Sequence, residues 1–307
     1  MGCCGRQNLI ISNNEEIKNE FEIDISIPKL TNKKNENSNN FIEKLYEPDI
    51  KKDSSLNSSL LSNNKAIPNV KISKNEYEEI LNLYPNLNPE NKIEIKKNVL
   101  LKDKCLFYGE YNNDKKIKEG RGILIYPNGC KYTGYFQNDK QNIRGKMEHV
   151  DGDVYEGDWV DNKANGKGQF IHNGIIYNGF WKDDKQNGTG IEKLEDIYTY
   201  EGDFVNGKKE GKGKYIWSDG SSYEGDFKDN GFNGKGIFIW KNGRTYEGDW
   251  EYNKMKGKGI FTWPDGRKYS GYWKNGVQDG EGEVYDPKRN NTKKGLWKNG
   301  KNVKWIN

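Results

Sequence analysis

The side chains of this chain that could carry chemistry are few, and the most telling lie at its start, which reads MGCCGRQN. Gly2, bared once Met1 is removed, is the residue that N-myristoylation requires, and Cys3 and Cys4 beside it are thiols that palmitoylation would take next. One myristoyl chain holds a membrane only marginally, whereas two or three acyl chains hold it stably, so Gly-Cys-Cys reads as a two-signal anchor. Arg6 stands where the myristoylation signal usually has Ser or Thr. The competing reading is an ordinary chain start with two free thiols. Two adjacent cysteines lack the spacing of a zinc knuckle, so no metal site is expected there. Cys105 and Cys130 are isolated, which argues against a disulfide framework and for a reducing compartment. The two histidines, His149 and His172, sit in repeat text without a Ser or Cys elbow nearby. No catalytic residue, cofactor or metal is expected, and the chain is read as not an enzyme.

The elements that must position anything else divide the chain unevenly. All nine Trp and 34 of the 36 Gly follow residue 104, while the first 104 residues hold 19 Asn, 9 Ser and equal numbers of basic and acidic residues. Runs such as TNKKNENSNN and SSLNSSLLSNNK cannot bury enough apolar surface to offset chain entropy. Residues 1–10 are therefore read as an acylation tip, 11–104 as a mostly disordered tether, and 105–307 as a folded array. Within the tether, KNEYEEILNLYP predicts a short helix near 75–84: Tyr77, Ile80, Leu81 and Tyr84 share one face. Asn75 with Glu78 resembles a capping box, and Pro85 ends the helix. It is transient or docked on the end of the array; a partner-binding helix is the other reading. No 18-residue apolar run occurs, so no transmembrane helix is expected, and no apolar stretch follows Met1 that would be read as a signal peptide. The net charge of +4 belongs to the array and is too small and dispersed for a nucleic-acid footprint, so no nucleic-acid partner is expected.

The array repeats one sentence. Tyr-x-Gly-x-aromatic recurs as Tyr155-Gly157-Trp159, Tyr177-Gly179-Trp181, Tyr223-Gly225-Phe227, Tyr246-Gly248-Trp250 and Tyr269-Gly271-Trp273, among others. Central glycines from Gly109 to Gly295 are 22 to 25 residues apart, and a fixed period of this size means a stacked array. Each unit predicts a β-hairpin. Residues two apart share a face, so Tyr246, Gly248 and Trp250 point one way and Glu247 and Asp249 the other. The glycine between two rings leaves room for an aromatic from the neighbouring strand. Lys212, Lys214, Lys235 and Lys258 fall opposite Glu201, Asp203, Glu224 and Asp226. SDG, KNG and PDG supply the turns, and a short polar loop supplies the return. The expected fold is all-β: an elongated single-layer antiparallel sheet of stacked hairpins, preceded by a largely disordered region. Ring-on-ring contacts must hold it together, which is how a chain of mean hydropathy −1.09 can fold.

YEGDW…NGKGQFIHNG and YEGDFKDNGFNGKGIFIWKNG resemble MORN (membrane occupation and recognition nexus) repeats, over about residues 105–300, as eight clear units and a degraded ninth. The resemblance implies twisted β-hairpin sheets that act as scaffolds between membranes, cytoskeleton and partner proteins. Unit two reads Gly145-Lys146-Met147, unit four ends LEDIYTY without the Asn/Asp-Gly turn, and the last unit dissolves into YDPKRNNTKKG. The end departures look like capping; those in units two and four mark candidate bends.

Together these readings give a non-enzymatic scaffold on the cytoplasmic face of a membrane, the plasma membrane or a pellicle, tethered by acyl chains and linking that membrane to protein partners or to a cortical cytoskeleton. A second copy of the chain is among the expected partners. The alternative is an array that itself binds anionic phospholipid head groups, against which the near balance of basic and acidic residues argues. The expected partner-binding face is the aromatic one, carrying Trp159, Trp181, Trp217, Trp240, Trp250, Trp263 and Trp273, because an exposed apolar strip marks an interaction site.

Overall fold

The structure, a computed structural model, describes residues 71–87 and 93–306. Gly2, Cys3, Cys4 and most of the expected tether lie outside the described residues. Internal contacts divide the chain at residues 195 and 196, with Phe204–Gly207 counted in the N-terminal unit.

The N-terminal unit begins with one helix, α1 (Lys74–Leu83). Its cap is Ser73, whose hydroxyl accepts from the Glu76 N–H while the Glu76 carboxylate accepts from the Ser73 N–H. The capping box is thus two residues earlier than the Asn75–Glu78 pair expected from sequence, because Ser73 takes the extended backbone that a cap requires. Strands follow as β1 (Ile93–Leu100), β2 (Leu106–Asn112), β3 (Ile117–Ile125), β4 (Lys131–Gln137) and β5 (Lys140–Glu148). They continue as β6 (Val154–Val160), β7 (Lys163–His172), β8 (Ile175–Lys182) and β9 (Lys185–Leu194). Each pairs antiparallel with the next. Residues 93–100, read as tether from sequence, are a strand. β1 lacks the repeat signature but finds its backbone partners along β2, from Ile93 opposite Asn112 to Leu100 opposite Leu106.

The C-terminal unit holds β10 (Tyr198–Val205), β11 (Lys208–Trp217), β12 (Ser222–Lys228), β13 (Gly231–Ile239) and β14 (Thr245–Glu251). Then come β15 (Lys254–Thr262), β16 (Lys268–Lys274), β17 (Val277–Asp286), β18 (Asn291–Lys298) and β19 (Lys301–Ile306). From β11 onward, register is antiparallel with the next strand in order. The expected all-β antiparallel architecture is the one observed.

Two kinds of connection alternate. The tightest are two-residue turns with both residues left-handed, such as Asp229-Asn230 (φ 50° and 66°) and Tyr252-Asn253 (φ 47° and 64°), a geometry that matches strand twist. The second residue also ties one unit to the preceding one: Asn253 Oδ1 accepts from the Phe232 N–H at 2.6 Å and Asn230 Oδ1 from the Lys209 N–H at 2.8 Å. Asn206-Gly207 and Asn275-Gly276 are tight turns of this kind too, whereas Asp219-Gly220, Asn242-Gly243 and Asp265-Gly266 lie in the longer loops, where only the glycine is left-handed and Asp219 accepts from the Ser221 N–H.

Glycines pair directly across the ladder, Gly236 with Gly248 and Gly248 with Gly259, making a continuous row through the unit. A Cβ on Gly248 would fall 2.6 Å from the Gly259 Cα and from the Tyr246 hydroxyl. The space is taken by tyrosine: the Tyr246 ring lies along the row, its hydroxyl donating to Asp249 O at 3.0 Å. Trp250 of the same unit and Trp273 of the next close on it edge-to-face at 5.1 and 5.2 Å, and Tyr246 is 0% exposed. Indole N–H groups are spent on the ladder too, Trp250 on Gly236 O and Trp273 on Gly259 O, both at 3.1 Å. The core is therefore a file of rings along one face of the ribbon.

Candidate partner groove

The ring face, expected from sequence to stay partly open, is largely closed on itself. Trp159, Trp181, Trp217, Trp250, Trp263 and Trp273 are buried, and Trp240 is half-buried between Phe238 and Phe261. The glycine row lets rings of adjacent units interlock closely, so that these six indoles expose little surface.

Accessible surface lies on the other side of the same glycines. In the C-terminal unit their backbone floors a groove of about 1440 Å³ reaching from Gly202 to Gly295. Its walls are the alternate residues of each strand. One wall carries Glu224, Ile237, Glu247, Ile260 and Ser270; the other carries Lys212, Lys235, Lys258, Tyr272 and Glu281. This is the side expected from sequence to hold Lys against Asp and Glu, and it does: Lys212 meets Asp226 at 2.6 Å, Lys214 meets Glu224 at 3.0 Å and Lys235 meets Asp249 at 2.5 Å. Burial pushes the Asp249 carboxyl up, but the Lys235 ammonium and the Lys258 N–H overbalance that and hold it below the usual range.

The middle of the groove breaks this pattern. Lys258 faces Tyr272 where the two preceding hairpins of this unit supply Asp226 and Asp249, and its ammonium sits 5.4 Å over that ring. Glu247 lies opposite Ile237 on one side and Ile260 on the other. Among the described residues neither Glu247 nor Lys258 has an ion-pair partner. Ile260 and Tyr272 beside them are 42% and 45% exposed. Apolar surface flanked by one unmatched carboxylate and one unmatched ammonium is what a docking surface offers. From sequence this face is expected to hold only cross-strand pairs of Lys with Asp or Glu. The available signal was the break in period at Ser270 and Tyr272.

The corresponding face of the N-terminal unit is occupied over β2–β4 by α1. Tyr77 stacks on Tyr108 at 4.6 Å, Tyr84 packs edge-on against Tyr135 at 5.3 Å, and Ile80 is buried with Ile123. Burial pushes the Tyr84 phenol up to about 12, so it stays a neutral donor to Thr133 O. Arg121 donates to Tyr84 O at 3.2 Å while its other nitrogens hold Glu110, and the Tyr135 hydroxyl donates to Pro85 O at 2.6 Å. Beyond the helix, the N-terminal unit has a smaller open stretch of about 450 Å³ among Arg144, Glu156, Lys167 and Phe180. Among the described residues no cluster of three or more His, Cys, Asp or Glu could hold a metal ion. Among the described residues no helix is long and apolar enough to cross a membrane.

A ribbon of β-hairpins with a Tyr-Gly-aromatic repeat, a ring file on one face and a glycine-floored groove on the other defines a hairpin-repeat class. The MORN repeat model matches residues 107–131, 155–174, 177–196, 200–222, 223–243, 246–266 and 269–290. The chain belongs to the MORN repeat proteins, with seven matched repeats where eight clear units and a degraded ninth were expected from sequence. The stretch between the first two matches is hairpin β4–β5, which keeps the structure of a unit. No curated protein matches the chain. Among solved structures, the CPAP G-box domain is similar at 10% identity, covering 61% of this chain and 99% of that one with a TM-score of 0.37. The SAS-4 (dCPAP) TCP domain of Drosophila Melanogaster, in complex with a proline-rich motif of Ana2, matches at 10% identity over 68% and 92% with a TM-score of 0.25. The TCP10 domain of Danio rerio CPAP with a STIL peptide matches at 12% identity over 70% and 99% with a TM-score of 0.26. Overlap this low leaves function to be read from the chain's own residues.

Proposed function

We propose that this MORN repeat protein is a non-enzymatic scaffold that holds protein partners in the groove of its C-terminal unit, while acyl chains on Gly2, Cys3 and Cys4 attach it to the cytoplasmic face of a membrane. The observation that carries the reading is the open groove, whose floor is bare backbone and at whose centre Glu247 and Lys258 have no ion-pair partner among the described residues while Ile260 and Tyr272 are exposed. An extended apolar strip with flanking charges is suited to protein, because side chains of a partner can fill it and match both signs. Alternating acidic and basic walls suit an anionic lipid surface poorly.

The test is site-specific photocrosslinking in the native cell, with a photoreactive residue at Ile237 in the groove wall or at Tyr252, 73% exposed on a turn, as the control. A discrete adduct from Ile237 that is absent from Tyr252 is expected; equal labelling from both positions would remove the groove as the partner site. Metabolic labelling with alkyne-myristate tests the anchor, with loss of label and of membrane fractionation expected in Gly2→Ala.

A further inference from the structure

The chain contains its own example of what the groove takes, because the receptor for α1 is written twice. In hairpin β3–β4, Arg121 pairs with Tyr135 and Ile123 with Thr133. In hairpin β15–β16, Lys258 pairs with Tyr272 and Ile260 with Ser270. Basic residue opposite tyrosine, and isoleucine opposite a small hydroxyl residue, recur at the same register on either side of a glycine pair, Gly122–Gly134 and Gly259–Gly271. The other glycine-paired hairpins of this phase carry different sets. They have Arg144 with Asp158 and Lys146 with Glu156, Lys167 with Phe180 and Gln169 with Asn178, or Lys212 with Asp226 and Lys214 with Glu224. Hairpin β13–β14 has Lys235 with Asp249 and Ile237 with Glu247, and β17–β18 has Glu281 with Leu296 and Glu283 with Lys294.

We propose that Lys258, Ile260, Ser270 and Tyr272 form a second helix-docking site, and that its occupant is a short amphipathic partner helix with a basic residue, an aliphatic residue three positions on and a tyrosine seven positions on. The proposal rests on the groove reading above and names the partner's chemistry. Tyrosine and aliphatic positions follow from α1, where Tyr84 and Ile80 meet Tyr135 and Ile123. The basic position follows from the one difference between the sites. Tyr77 of α1 stacks on Tyr108, and the residue in the place of Tyr108 on β14 is Glu247, each preceding the central glycine of its strand. A helix running the same way would bring its fourth residue to Glu247, where a lysine or arginine closes the ion pair that a tyrosine cannot. At the far end, Arg121 caps the helix by donating to Tyr84 O. Lys258 is equipped for the same task, because Asp249 receives its N–H at 3.0 Å but directs its carboxylate to Lys235. The same mismatch disfavours a second copy's α1, whose tyrosine would meet Glu247.

Fluorescence anisotropy on the full chain tests this with a labelled peptide of residues 71–87 and the same peptide carrying Tyr77→Lys. The Tyr77→Lys peptide should bind about tenfold more tightly than the unmodified one, the size of a single matched charge at a partly desolvated site. Tyr272→Ala in the full chain should weaken it at least about tenfold, as loss of an aromatic anchor does, and Tyr272 is exposed enough that the fold survives. Glu247→Lys should abolish the preference, and a Tyr77→Glu peptide should restore it. Binding that ignores Tyr272→Ala, or an unmodified peptide that binds Glu247 chain as well as the lysine form, overturns the proposal. If the peptides fail to bind while Ile237 still crosslinks to a cellular protein, the helical occupant is overturned and the groove reading stands.

Discussion

The two faces of the C-terminal ribbon are built from alternate residues of the same strands, yet one is saturated and the other is not. On the ring face Tyr223, Tyr246 and Tyr269 each sit edge-on between two rings, Tyr246 between Trp250 and Trp273, and all three are fully buried. On the groove face the ion pairs of the first hairpins give way at Glu247, Lys258 and Tyr272. Periodicity marks the face that holds the protein together. Loss of periodicity marks the face that is free to do something else.

The sharpest way to break this comparison is to truncate one residue from each face. Trp250→Ala removes a buried indole, its contacts with Tyr223 and Tyr246 and its bond to Gly236 O. It should cost about 3–5 kcal/mol, the usual toll of a large-to-small core change. Tyr272→Ala, on the groove face, should stay within about 0.5 kcal/mol. Because repeat arrays can unfold unit by unit, hydrogen exchange on β13–β16 is the better readout than a single melt. Equal losses for both variants would show that the two faces share the load.

The N-terminal unit sharpens the comparison, since its groove is filled over β2–β4. Arg121→Met leaves the Glu110 carboxylate buried without its partner and uncaps Tyr84 O. Breaking such a buried pair typically costs about 3 kcal/mol or more. The expected outcome is loss of amide protection through α1 while β6–β9 stay protected. If protection of α1 survives, the helix is held by its tyrosines alone, and Tyr272 becomes the dominant element of the second site.

Most of the fold was legible because its determinants are local and periodic: ring, glycine and turn recur in one order, and strand parity assigns them to faces. The helix was legible for the same reason, through the spacing of Tyr77, Ile80 and Tyr84. Less legible was anything that depends on closure. Whether the tryptophans stay open to solvent depends on how far the neighbouring unit's rings reach, and no strand pattern records that. The first strand, β1, carries no signature because it contributes backbone more than side chains. The duplicated receptor was visible in the letters as Arg121–Ile123–Thr133–Tyr135 and Lys258–Ile260–Ser270–Tyr272. It had no meaning until α1 was seen lying on one of them.

A smaller effect comes from the turns. Asp184 accepts from the Ala164 N–H at 2.7 Å, the place that Asn162, Asn230 and Asn253 fill with an amide oxygen. Burial pushes the Asp184 carboxyl up to about 6. A raised folded-state value means that its contribution to stability is greatest below pH 4 and is lost as pH rises through about 6, where the buried group must ionise. Asp184→Asn should therefore gain on the order of 1–2 kcal/mol above pH 7, with the advantage shrinking at pH 4–5. Denaturant titrations at the two pH values check the sign. A gain that is the same at both would mean the carboxylate is not the cause.

The smallest effect tests why one hairpin escapes the family model. Between residues 131 and 155 lies the unit with Ile143 at the position where the others place a left-handed glycine, such as Gly234 at φ 62° and Gly257 at φ 64°. Ile143 holds φ 65° there and still pairs with Trp159, as Gly257 pairs with Trp273. The register of the bulge, set by the units on either side, thus overrides the residue's own preference. An L side chain in this region costs about 1–2 kcal/mol, and glycine returns part of that as added freedom of the unfolded chain. Ile143→Gly should therefore stabilise the N-terminal unit by about 1 kcal/mol, read as a shift in denaturant midpoint without a change in slope. The same side chain also lines a small cavity with Leu87 and Ile93, next to the end of α1. If Ile143→Gly destabilises instead, and protection of α1 falls with it, isoleucine is held in a strained backbone because it helps to seat the helix. The unit that departs furthest from the repeat would then be part of the receptor.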